Sequence, residues 1–259
     1  MFPSASLYGP DVHFQHLTVR WDECDNPLPV RTLRASAHPQ GSLAVAAPPW
    51  LVSGDVEKPF DFCGHVRRLL EDIVAGCDEL RHIAVPRILL AVTQARNGRR
   101  HGLQARVTPL RFHDGQLTRK RHGVTYQVQR LFDGDHEFYY VMTFCLPRFL
   151  NQEFDDKFVT LFHELYHISP KFDGDLRRHD GRYELHSHSQ KGYDCHMAEL
   201  ARAYLTRKPN PDLFAFLRLN FAQLCHRHGG INGFIVPRPK VYPVAWPGCP
   251  AMLQASLST

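Results

Sequence analysis

The 259-residue sequence predicts an α+β fold in which an antiparallel sheet packs on helices. Three observations carry this expectation. Between residues 85 and 146 apolar side chains recur at the two-residue period of strands, punctuated by Asp114-Gly115 and Asp133-Gly134. Residues 62–77 and 152–168 instead place apolar side chains three and four apart, the period of a helix with one buried face. The second of these stretches contains His163-Glu164-Leu165-Tyr166-His167, whose spacing gains chemical meaning on a helix.

In chain order, residues 1–60 are Pro-rich and weakly patterned, with one strand signal at 12–21. Asp61 can then cap a helix over 62–77, where Phe62, Val66, Leu69, Leu70, Ile73, Val74 and Cys77 line one face. Strands are expected at 88–93, 103–112, 124–132 and 136–145, with the two Asp-Gly pairs as hairpin turns. Asn151 can cap the helix over 152–168, and Glu153 and Asp155 suit the positive end of its dipole. Its buried stripe is Phe154, Phe158, Leu161, Phe162, Leu165 and Ile168, and Ser169-Pro170 ends it. Ser189 can cap a helix over 190–205. A further helix is expected from Asn210, with Pro211 in its first turn, to His228, closed by Gly229-Gly230. The five prolines of 236–250 give an extended arm expected to pack on its own domain. The organisation read from this pattern is a segment 1–60, a main domain 61–235 and an arm 236–259.

Composition is that of a soluble enzyme-sized domain, 43% hydrophobic and 22% charged. No stretch approaches 18 apolar residues, and residues 1–15 lack the basic and apolar regions of a secretion signal, so a membrane-spanning or secreted product is not expected. Seven cysteines without a C-x-x-C pair argue for reduced thiols in the cytoplasm, and Cys195 is expected as a buried helix thiol. The net charge of +5 decides little, but Arg96, Arg99, Arg100 and His101 cluster in one expected loop and Arg119, Lys120, Arg121 and His122 in another. Solubilising loop tips are the default, with contact to nucleic-acid phosphates as the alternative.

On a helix, residues four apart are separated by about 40° around the axis, so His163 and His167 can hold one metal ion between them. Glu164, one step round, can take a proton from a metal-bound water. A catalytic zinc site normally has three protein ligands and an open position. Candidates for the third are His188, His186 and His179, in that order: His186 and His188 share parity in an extended segment, and His188 sits just before a helix start.

The run from His163 to His179, with HEL-x-HI-x-P followed by Phe172-Asp173-Gly174-Asp175-Leu176-Arg177-Arg178, resembles the phage-type metallopeptidase family. It continues as His186-Ser187-His188-Ser189 before Tyr193-Asp194, similar to that family's His-Ser stretch, and the likeness is dense over 140–195. More distantly it is similar to SprT-like zincins, which cut proteins crosslinked to DNA. There an aromatic follows the third histidine by four, whereas Tyr193 lies five after His188, which leaves His186 open.

The resemblance implies a zincin-like fold and hydrolysis of a protein or peptide by a zinc-activated water, with Glu164 as general base. Tyr166, Arg177, Arg178, Tyr183 and Tyr193 are candidate donors to the developing negative charge, and Asp173, Asp175 and Asp194 candidate partners of ligand imidazoles, with a turn role favoured for Asp173-Gly174. Strand 138–145 is a candidate edge for pairing with an extended substrate, with a fully paired interior strand as its counterpart. The competing expectation is a zinc-stabilised, non-catalytic binding protein contacting DNA through its basic loops.

Overall fold

The computed structural model describes residues 11–12, 17–21, 30–33, 59–95, 102–133, 135–178 and 190–245. These form a mixed α+β structure with four small sheets and four α-helices. The strands are β1 (Asp11–Val12), β2 (Leu17–Trp21), β3 (Val30–Leu33), β4 (Phe60–Asp61), β5 (Ile88–Gln94), β6 (Ala105–Pro109), β7 (Thr118–Arg121), β8 (Val124–Val128), β9 (Arg130–Asp133), β10 (His136–Phe138), β11 (Tyr140–Leu146), β12 (Ile231–Ile235) and β13 (Val241–Ala245). The helices are α1 (Phe62–Gly76), α2 (Phe154–Tyr166), α3 (Gln190–Thr206) and α4 (Phe221–His228). No helix among the described residues is long and apolar enough to cross a membrane.

The sheet that positions the site has the order β5-β11-β6. It is mixed: β11 runs parallel to β5 and antiparallel to β6, where an antiparallel arrangement was expected. Parallel pairing needs a long crossover, and the whole stretch from β6 to β10 lies between these two strands. Both faces are covered. Ile88, Leu90 and Val92 join the main core with α1 and α2, while Leu89 and Ala91 join a second cluster with Leu131 and Phe138. A strand buried on both sides reads as a continuous apolar run, as 88–92 does.

Other expectations are adjusted by main-chain bonds to distant residues. The expected strand 124–132 breaks at Gln129, whose amide donates to the Lys240 carbonyl, so β8 and β9 enter different sheets. The strand 136–145 breaks at Tyr139, whose amide donates to the Arg87 carbonyl. Asp133 pairs with His136 across the β9-β10 hairpin as expected, but the Asp114 turn joins β6 to β7, which lie in different sheets. Arg119, Lys120 and Arg121 form β7 itself and are exposed, with His122-Gly123 turning the chain into β8; Arg96, Arg99, Arg100 and His101 lie outside the described residues. From the N-terminal segment, β1 pairs with β9 and β2 with β12; from the arm, β13 pairs with β8.

Asp61 caps α1 as expected, its carboxylate accepting from the Gly64 amide at 3.0 Å. Asn151 does not cap α2. Its side-chain oxygen accepts from the Phe221 amide, the first of α4, and α2 begins after Glu153 without a side-chain cap. The helix expected over 210–228 is broken. Asn210 caps a short turn at Pro211–Leu213, and α4 starts afresh at Asn220, which forms a capping box with Gln223. The carbonyls of Leu217 and Leu219 are turned instead toward Lys157 of α2, whose ammonium donates to them at 2.7 and 2.9 Å. Burial pulls that ammonium down to about 8, which leaves it charged at neutral pH. Lys157→Met keeps the length but strands both carbonyls, and should lower stability by about 2 to 4 kcal/mol in urea unfolding.

Candidate metal centre

The apolar face of α2 fixes what its other face presents. Phe158, Leu161, Phe162 and Leu165 are fully buried in the main core. His163 and His167 are half-buried and face a cleft of about 900 Å³ between α2, β6 and α3. Their Nε2 atoms converge to 2.8 Å, with the two rings nearly perpendicular. Two imidazoles bound to a tetrahedral zinc would hold these nitrogens about 3.3 Å apart. Small side-chain rotations cover that difference, so the pair fits a shared ion.

Glu164 lies between them in sequence and is 5% exposed. The Val107 amide of β6 donates to its carboxylate, while Oε2 is buried with no hydrogen-bond partner among the described residues. An orphaned carboxylate oxygen is costly, and a proton or a bound water relieves that cost. Burial pushes this carboxyl up to about 8, against the opposing pull of the Val107 amide.

β6 is the edge of its sheet. Cys145 donates to the Gln104 carbonyl and Leu110 to that of Tyr139, which sets the phase of the ladder. Alternation then turns the main-chain groups of Ala105 and Val107 outward to the cleft. Strand 140–146 is interior, paired on both sides, so the edge bordering the cleft is β6 rather than the expected strand 138–145.

Beyond α2 the chain makes a tight hairpin. Ser169 donates to the Asp175 carbonyl, Arg177 donates to that of His167, and Ile168 bridges to Leu176. Phe172 and Gly174 adopt positive φ of 50° and 86°, and Asp173 accepts from the Asp175 amide, which is the turn role expected of Asp173-Gly174. The buried Asp175 carboxylate accepts from the amides of Asp114 and Leu176 and from the Arg178 guanidinium. Asp175 is thus a structural anchor.

Three of the five candidate charge-stabilising donors, Tyr166, Arg177 and Arg178, have described side chains. Arg177 stacks over the Tyr166 ring at 3.9 Å and donates to the Tyr166 carbonyl, and His196 meets the same ring. Tyr166, Arg177 and Arg178 are not among the cleft-lining residues. Arg106 and Arg202 are, and the sequence reading missed both. Arg106 was signalled only by a charge inside an apolar strand. Cys195, expected to be buried, is exposed and lines the cleft, because α3 buries Met197, Ala201 and Tyr204 instead.

His179, His186 and His188 lie outside the described residues, as do Tyr183 and the side chains of Tyr193 and Asp194. Among the described residues no group of three His, Cys, Asp or Glu side chains converges on one point. The chain on either side of 179–189 does border the cleft, through Leu176 before it and Cys195 after it. No protein-family model, curated protein or solved structure matches the chain.

Between about pH 4.5 and 8 the folded chain retains a proton on Glu164 that the unfolded chain has released. Stability from this residue is therefore present at low pH and lost as pH rises through that window. In chelator-treated protein Glu164→Gln should be stabilising by a margin that widens from pH 5 to pH 9 in urea unfolding. A margin flat with pH would mean the carboxylate is solvated.

Proposed function

We propose that the chain is a zinc-dependent metallopeptidase with a zincin-like fold. The observation that supports this best is the pair of converging imidazole nitrogens flanking a buried carboxylate with one unpartnered oxygen, beside a sheet edge in an open cleft. His163 and His167 would hold the ion through Nε2, with His188 as the third ligand and His186 or His179 as its alternatives. Zinc when bound lowers the pKa of a coordinated water toward about 7 and polarises a carbonyl.

Glu164 supplies the proton traffic. With a bound cation beside it to draw off the proton that burial holds there, its Oε2 would take the proton from the attacking water and pass it to the leaving amine, while the Val107 amide holds the carboxylate in place. An extended peptide is positioned by adding to β6, through the outward main-chain groups of Ala105 and the Val107 carbonyl. The opposite wall, from Cys195 to Arg202 of α3, confines it.

Elemental analysis of purified protein should give one zinc per chain, abolished by His163→Ala or His167→Ala and by one substitution among positions 179, 186 and 188. Glu164→Gln should retain zinc and lower kcat/KM on a cleaved peptide by roughly 100- to 10,000-fold. A metal-free wild type that ignores added zinc would end this reading. A variant that keeps full function without the carboxylate would favour a zinc-stabilised binding protein instead, and DNA binding to its basic segments would then be measured directly.

A further inference from the structure

The two walls of the cleft each carry a guanidinium-bearing residue, Arg106 on β6 and Arg202 on α3. Four other arginines have carboxylate partners: Arg81 with Asp78, Arg111 and Arg130 with Glu137, and Arg178 with Asp175. Among the described residues Arg106 and Arg202 have no such carboxylate, and Arg202 donates only to the Ala198 carbonyl of its own helix. The carboxylates in the cleft wall are Asp156, exposed on α2, and Glu164, buried against Val107. Arg202 therefore offers a cation on the helix wall, and Arg106 offers one beside the outer edge of β6.

The register of β6 says which part of an entering peptide meets Arg106. Ala105 and Val107 pack on the core at the helix side of the sheet. Arg106 lies between them and so projects from the other side, beside its cross-strand partner Thr143. A strand added to the outer edge of β6 continues the same pleat. Its residue opposite Arg106 projects on the Arg106 side, with the two Cβ atoms about 5 Å apart. A carboxylate at that residue can meet the planar fork of the guanidinium in two parallel hydrogen bonds. Arg202, on the helix side, faces residues of the opposite parity.

We infer that the cleft selects a peptide carrying a carboxylate opposite Arg106, with Arg202 drawing a second one to the helix wall. The carboxylate is that of an Asp or Glu side chain or of the chain end. This rests on the cleft being a peptide site, as proposed above, and the test separates the two ideas.

Labelled extended peptides with Glu scanned through the central positions are titrated onto the Glu164→Gln protein by fluorescence anisotropy, beside their Gln counterparts, each as free acid and as C-terminal amide. Some Glu or free-acid peptide should bind at least tenfold tighter than its neutral counterpart, the amide series telling side chain from chain end. Adding Arg106→Gln should reduce that ratio below threefold, and Arg106→Glu should turn the preference to Lys peptides. Equal binding of charged and neutral peptides, an undiminished preference in Arg106→Gln, or binding of none overturns the inference. Wild type that cleaves Glu and Gln peptides equally well, with equal binding, leaves the peptidase reading standing and removes this one. Cleavage of neither, with the charge preference intact, does the reverse.

Discussion

The burial of one face of α2 is the constraint on which the rest depends. With Phe158, Leu161, Phe162 and Leu165 fixed in the core, the helical period leaves no freedom over where His163 and His167 point. Lys157 secures the same helix from a different direction, drawing the 217–219 segment onto it. A site built on a helix held at so many points has its geometry set by packing, before any ligand arrives.

The second constraint is the meeting of that helix with a sheet edge. The Val107 amide would be an open donor on β6, and Glu164 would be a buried carboxylate with nothing to accept from. Each group answers the other, yet only one carboxylate oxygen is satisfied. The remainder is an acid-base group whose proton affinity has been moved toward neutrality by its surroundings.

Much of this was legible in the sequence because it is local. The α2 stripe, the Asp61 cap and the turn at Asp173-Gly174 are set by residues within a few positions of one another. What escaped is non-local. The parallel pairing of β5 with β11 joins strands separated by five others, and no periodicity within either announces its neighbour. The breaks at Gln129 and Tyr139 answer carbonyls of Lys240 and Arg87. The helix expected over 210–228 gave way because Lys157, more than 50 residues earlier, claims its carbonyls. Cys195 was misjudged because α3 buries Met197, Ala201 and Tyr204, a stripe with too few large apolar residues to stand out.

The hairpin after α2 has a consequence for how such chains change over generations. Asp173, Gly174 and Asp175 are held by main-chain bonds, by Tyr140, whose hydroxyl donates to the Asp175 carbonyl and accepts from the Gly174 amide, and by Arg178. Their task is mechanical: they return the chain to His167. A descendant with another residue in place of Glu164 would still need the buckle, so the densest lettering in this stretch answers to the fold and would persist whatever became of that carboxylate.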